Sequence, residues 1–311
     1  MSGPEKMKKE WNDYENCILC PRRCHANRLA GEKGVCGVAA TLKLARAALH
    51  FWEEPCISGT SGSGAVFFTG CNMHCVFCQN QPIASGEVGK EIPPERLAEI
   101  FLELQEKGAN NINLVTPTHY LPHVIWAVEV SRRQGLELPI VYNTSGYEEA
   151  EQLKRLEGIV DIYLPDYKYY KEETAKCYSK AANYPALAHA ALREMVRQQP
   201  TPVFYEKNDQ HLMKNGVILR HLLLPGELSS SRHLLRDVYE QFGNSIYYSI
   251  MSQYTPMPQV EADSLLGKRV TPEAYANLVA YAQQLGIENG YMQDLEVAEE
   301  SFIPHFDLEG V

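Results

Sequence analysis

Residues 65–80 read Ala65-Val66-Phe67-Phe68-Thr69-Gly70-Cys71-Asn72-Met73-His74-Cys75-Val76-Phe77-Cys78-Gln79-Asn80, and this stretch decides the fold. The apolar run 65–68 predicts a buried strand, entered from the Ser- and Gly-rich stretch 58–64 and broken at Gly70. Three cysteines then crowd onto one tight loop with the spacing Cys-x3-Cys-x2-Cys. Three thiolates hold only three irons of a cubane cluster, whereas ferredoxin-type ligation supplies four. The remaining iron keeps a position open to something other than protein. The alternative is a zinc knuckle completed by His74, for which this is not a usual spacing.

Such a loop needs neighbouring strands around its mouth, and the chain beyond Cys78 alternates strand and helix. A helix opens at Pro93-Pro94-Glu95 and places Leu97, Ile100, Phe101 and Leu104 on one face. Glu103 and Lys107 form an i,i+4 pair on it, and Gly108 ends it. Strands are expected at 111–115, 139–143, 159–164, 203–206, 217–224 and 245–251, with a turn at Asn215-Gly216. Helices are expected at 122–134, 148–156, up to about 199, at 230–242, and from the Thr271-Pro272-Glu273 cap to Leu285. This alternation implies an α/β protein with a parallel sheet. About six units after Cys78 suit a partial (βα)6 barrel, whose open side admits a large substrate where a closed barrel is filled by its own side chains. The reading divides the chain into a Cys-rich extension over 1–60, a barrel over 61–295 and a tail over 296–311.

The 311 residues are 45% hydrophobic and 22% charged, which excludes wholesale disorder, a collagen-like chain and a disulfide mini-protein. A net charge of −10 argues against a broad nucleic-acid footprint. No apolar run approaches a membrane span, and the first ten residues lack the apolar core of a secretory signal. A cytoplasmic protein is expected, with neither nucleic acid nor membrane as partner. Eight of the nine cysteines precede residue 80, and in a reducing compartment that clustering points to metal ligation rather than disulfides. Cys17-x2-Cys20-Pro21-x2-Cys24-x11-Cys36 supplies four soft ligands, permitting either an auxiliary [4Fe–4S] cluster or a structural zinc. Either would fold a segment, 11–40, with little apolar content of its own. Cys56 reads as a buried thiol and Cys177 as core packing.

In parallel α/β folds chemistry gathers at the carboxyl ends of the strands. That rule selects Thr116-Pro117-Thr118-His119, Asn143-Thr144-Ser145-Gly146, Asp166-Tyr167-Lys168, Arg220-His221, and Gln253-Tyr254. Tyr254 itself reads as half-buried packing.

The strand followed by Cys71-x3-Cys75-x2-Cys78 resembles the signature of radical S-adenosylmethionine (SAM) enzymes. The resemblance implies that these cysteines bind a catalytic [4Fe–4S] cluster, that SAM chelates the open iron, and that an electron from the cluster cleaves SAM to methionine and a 5′-deoxyadenosyl radical. Over roughly 50–295 the chain is most similar to the pyruvate formate-lyase activating enzyme branch, and within it to proteins with a Cys-rich N-terminal segment. The phrases Gly64-x-Val66-Phe67-Phe68-x-Gly70-Cys71-Asn72, Tyr142-Asn143-Thr144-Ser145-Gly146-Tyr147, Asp166-Tyr167-Lys168 and Arg220-His221-Leu222-x-Leu224-Pro225-Gly226 carry that similarity. It implies that Phe77 packs near the adenine and that the turn of Thr116, Thr118 and His119 lies near the SAM amino group. Asn143 and Ser145 would meet the ribose and carboxylate. Asp166, Lys168 and Arg220 would complete the polar shell, with Arg220 facing the methionine carboxylate.

The chain also departs from that pattern. Many relatives carry Gly-Gly-Glu where this one has Thr116-Pro117-Thr118-His119, and auxiliary-cluster insertions usually follow the cysteine loop, whereas here the extra cysteines precede it. The substrate implied is a glycine of a protein, another peptide side chain or a small metabolite, with reduced flavodoxin or ferredoxin as electron donor. The rival reading is a non-catalytic adaptor with zinc in both cysteine groups.

Overall fold

In the computed structural model, residues 11–263, 265–292 and 305–311 are described. The strands are β1 (Lys43–His50), β2 (Ser63–Phe68), β3 (Lys90–Glu91), β4 (Ile112–Val115), β5 (Ile140–Thr144), β6 (Ile162–Pro165), β7 (Val203–Lys207), β8 (Gln210–Leu222), β9 (Tyr247–Met251) and β10 (Gly290–Met292). Between them run the helices α1 (Pro55–Ser58), α2 (Gln81–Ala84), α3 (Pro94–Glu106), α4 (Leu121–Arg133), α5 (Ala150–Leu153), α6 (Glu172–Ser179), α7 (Tyr184–Gln198), α8 (Leu228–Phe242) and α9 (Pro272–Leu285).

The sheet order is β10-β9-β8-β6-β5-β4-β2-β1-β3, with β7 hanging from β8 as a hairpin. Every pairing from β2 through β10 along that order is parallel, while β1 runs antiparallel to β2. β2 is buried at all six positions, as its uninterrupted apolar run requires of a strand covered on both faces. α3 buries Leu97, Ile100, Phe101 and Leu104, the face its spacing predicts, and Gly108 follows it with φ +85°. Thr271 caps α9 by accepting from the Ala274 amide, and Gly286 closes it in the left-handed conformation. The predicted α/β fold with its mostly parallel sheet is present. Side chains from β2, β4, β5, β8 and β9, with Asp166 just after β6, face one cavity, so the sheet curls around it while its ends stay unjoined.

Two details differ from the sequence reading. The turn expected at Asn215-Gly216 lies instead at Asn208-Asp209, both with positive φ, and β8 runs unbroken through Gly216. From within the 1–60 extension, β1 joins the same sheet. Cys177, expected in the core, is exposed on α6; Cys56 is buried as expected. The C-terminal residues return along β1: the Ala47 amide donates to the Glu309 carbonyl (2.8 Å), and Phe306 sits edge-on to Phe67. Among the described residues, no helix is long and apolar enough to cross a membrane.

Candidate active site

The cysteine loop leaves β2 through Gly70, whose φ of +96° only glycine adopts without strain. A side chain there would also strike the Cys36 carbonyl at 2.7 Å. Cys71, Cys75 and Cys78 are free thiols lining a cavity of about 1600 Å³, counting the space open to solvent at its mouth. Burial pushes the Cys71 thiol up to about 11 and the Cys78 thiol up to about 12, with the neighbouring Cys75 adding to both. Without a metal to supply positive charge, these sulfurs therefore stay protonated. Ser179 on α6 donates its hydroxyl to the Cys75 sulfur at 3.1 Å. Among the described residues, no three His, Cys, Asp or Glu side chains converge closely enough for a single metal ion. The His74 ring nitrogen Nε2 is engaged by the Val35 carbonyl at 2.5 Å. The donor set thus fits a cubane, whose thiolates stand wider apart than the ligands of one zinc.

The strand ends bring an ion network to the same cavity. Arg220 donates through Nε to Asp166 Oδ1 (2.9 Å), through Nη1 to Glu53 Oε2 (3.1 Å) and through Nη2 to Asn143 Oδ1 (2.6 Å). Lys168 donates to the other Asp166 oxygen at 2.5 Å. Glu53 Oε1 accepts further from Asn113 at 3.0 Å and Asn143 at 3.2 Å. Burial alone would raise the Asp166 carboxyl, but the Arg220 and Lys168 cations outweigh it and hold the group below its ordinary value. Burial likewise works against the cations, yet Asp166 keeps both Lys168 and Arg220 raised, with Cys75 adding to the first and Glu53 to the second. Glu53 and Asp166 offset the two cations, while Glu54, a third carboxyl within reach of Arg220, is raised by burial.

Most of the residues expected from the sequence meet here. Phe77, Thr116, Asn143, Ser145, Asp166, Lys168 and Arg220 line the cavity with the three cysteines. Phe77 sits edge-on to Tyr169, Tyr178 and Tyr254, so Tyr254, read from sequence as packing, also lines the wall. Thr118 and His119 do not. The short 3-10 turn Thr118–Tyr120 rotates both inward, where Thr118 donates to Glu148 (2.6 Å) and the His119 ring meets the Thr69 carbonyl (2.8 Å). Burial lowers His119 to about 3, so it is a neutral packing histidine. Arg220 bonds protein through all three guanidinium nitrogens and keeps one further N–H on each Nη. Lys168, bonded once to Asp166, likewise has N–H groups to spare.

Sequence reasoning missed Glu53 and Glu148. Glu53 lies in a loop that reads as solvated, and only the curl of the sheet carries it to Arg220. Glu148 is buried beneath the 143–146 loop, where Thr118 and Thr144 both donate to the same carboxylate oxygen. Its signal, an acidic residue four after a strand-end threonine, is weak by itself.

A family model described as the radical SAM superfamily matches residues 65–236. An uncharacterized protein of Methanocaldococcus jannaschii is 27% identical over 286 residues, spanning 89% of this chain and 77% of that one. Among solved structures, a radical SAM methyltransferase from Sphaerobacter thermophilus superposes with a TM-score of 0.52 at 13% identity, over 76% of this chain and 68% of its own. Methylornithine synthase superposes with a TM-score of 0.48 at 12% identity, over 94% of this chain and 72% of its own.

Proposed function

The chain belongs to the radical SAM superfamily, and from that premise we propose that it cleaves SAM reductively and abstracts hydrogen from a substrate entering the open barrel. The observation that carries this reading is the meeting of three free thiols on one loop with the Asp166–Lys168–Arg220 network in a single cavity. Cys71, Cys75 and Cys78 would hold the catalytic [4Fe–4S] cluster. Cluster and SAM together supply a 5′-deoxyadenosyl radical, the hard chemistry that the protein itself cannot perform.

The residues of the chain supply position and shelter. Lys168, tied to Asp166 by one bond, has donors left for the SAM carboxylate. Thr116, Asn143 and Ser145 offer polar groups to the amino group and ribose. Thr116 has φ +58°, a strained setting for a β-branched residue that suits a ligand-facing turn. Phe77 and Tyr254 form an apolar wall for the adenine and keep water from the reacting carbon.

For the substrate we favour a glycine of a partner protein, as in the activating-enzyme branch whose phrases recur at 142–147, 166–168 and 220–226. Reduced flavodoxin or ferredoxin would deliver the electron. Anaerobic reconstitution with iron and sulfide, followed by reductant and SAM, should yield 5′-deoxyadenosine. No product from a filled cluster, or equal product from Cys75→Ala, sinks the proposal. A glycyl radical signal on an added glycyl radical enzyme would support the finer reading, and its absence alongside 5′-deoxyadenosine formation would redirect the search to other peptides or metabolites.

A further inference from the structure

Among the described residues ahead of β1, regular structure beyond the helical Trp11 is limited to two three-residue 3-10 turns, yet Cys17, Cys20 and Cys36 are buried. Its backbone is folded into a knuckle. The His25 amide donates to the Cys17 carbonyl (3.0 Å), the Cys17 amide to Ala26 (3.2 Å) and the Arg23 amide to Cys20 (3.0 Å). Arg23 and His25 both hold positive φ, +40° and +57°, a strain that persists only where the surroundings over-determine it. Two of the sulfurs flank one point. The point where a Gly34 Cβ would stand is 3.1 Å from the Cys24 sulfur and 3.4 Å from the Cys36 sulfur. Cys36 is within electrostatic reach of Cys17, Cys20 and Cys24.

Arg28 shows what that cluster of sulfurs lacks. Its side chain is 1% exposed and lies between the rings of Tyr14 (4.6 Å) and Tyr120 (5.5 Å). It donates to the His119 and Ala39 carbonyls (2.6 and 2.8 Å) and points Nη1 at the Cys17 sulfur from 3.8 Å, while Nε has no partner. Among the described residues no carboxylate pairs with it. A buried guanidinium with no anion beside it would be an uncompensated charge, costing several kcal/mol. An anionic metal–thiolate group held by the neighbouring cysteines would supply the counter-charge. A lone zinc does not match, because no three of these ligands converge on one point.

We propose that Cys17, Cys20, Cys24 and Cys36 ligate a second [4Fe–4S] cluster whose buried counter-charge is Arg28. This cluster lies against the catalytic loop: the Cys71 amide donates to the Cys36 carbonyl at 3.2 Å. Arg22, from the same knuckle, donates to the Asn72 and Met73 carbonyls at 2.7 and 3.4 Å. Filling the second site therefore shapes the loop that carries the first. All four corners are closed by protein, so SAM has no place on it.

The triple variant Cys71→Ala, Cys75→Ala, Cys78→Ala separates this proposal from the SAM-cleaving reading. Reconstituted anaerobically with iron and sulfide, it should retain about four irons and four sulfides per chain, against about eight of each in the unaltered protein. Its reduced spectrum by electron paramagnetic resonance should not respond to added SAM. One zinc without sulfide in the triple variant, or a metal-free chain with native circular dichroism, overturns the proposal even if the unaltered protein makes 5′-deoxyadenosine. Should the triple variant fail to fold, the unaltered holoprotein decides. About eight irons, with SAM perturbing only part of the signal, supports the second cluster, and about four irons refutes it.

Discussion

Glu148 is a carboxyl that folding forces to keep its proton. It is 2% exposed, and burial pushes it up from an ordinary 4.5 to about 7, although hydroxyls of Thr118, Thr144 and Tyr142 pull the other way. Between those two values the unfolded chain has released the proton and the folded chain still binds it, so stability falls as pH rises. The full contribution is present below the unfolded value and is gone once pH passes the folded one. A displacement of that size corresponds to something on the order of 3 kcal/mol. Glu148→Gln keeps an oxygen for the two threonine hydroxyls and has no proton to lose. Urea unfolding followed by circular dichroism at pH 5, 6, 7 and 8 should show the unaltered protein losing stability across this window relative to the variant. At pH 8 the variant should be the more stable of the two. The difference between the proteins cancels every other titrating group. Parallel pH profiles would mean that Glu148 titrates normally, and its assignment as the buried pin between the 116–119 turn and the 143–146 loop would fail.

Three other perturbations probe the same cavity and its surroundings. Arg220→Met strands the Glu53 and Asp166 carboxylates inside the barrel and should cost about 3–5 kcal/mol in urea unfolding. Arg220→Lys should not rescue it, since an ammonium cannot span the three partners of the guanidinium fork; a small loss in either variant would show the network to be loose. Gly146→Ala places a methyl 2.2 Å from the Asp166 carbonyl at φ +76°, so the melting temperature should drop and SAM binding by calorimetry should weaken. An unchanged melting curve would mean that the loop is not fixed as described. Cys177→Ser should shift stability by no more than about 0.5 kcal/mol, and in the metal-loaded protein it should abolish the fastest thiol labelling.

The path from sequence to fold was shortest where one physical signal stood alone. Four consecutive apolar residues before a glycine are buried as β2 and open the loop, and the spacing of Leu97, Ile100, Phe101 and Leu104 is the buried face of α3. The hairpin was misread because two dipeptides competed for its turn. Asn208 and Asp209, both in the left-handed region, make the tight turn that right-twisted strands prefer. Gly216, with φ +146°, marks the place where β8 leaves β7 and joins β6 through Ile162. Asn-Gly signals a backbone conformation, and a strand handing over between partners uses it as readily as a turn does.

At the site, position along a strand predicted neighbours better than it predicted direction. Residues on the strands or immediately after them, such as Asn143, Asp166 and Arg220, point where the pleat sends them and meet in the cavity. Thr118 and His119 are only two or three residues further on, but a 3-10 turn intervenes and their side chains become internal struts. Glu53 could not be found this way, because it reaches Arg220 across 167 positions of chain. What can be inferred from charge is that some such carboxylate must exist. Arg220 and Lys168 inside one barrel exceed Asp166 by one positive charge, an excess that a cavity proposed to take a cationic sulfonium could not tolerate unpaired. Glu53 removes it, so the protein itself supplies the balance before the proposed cofactor enters.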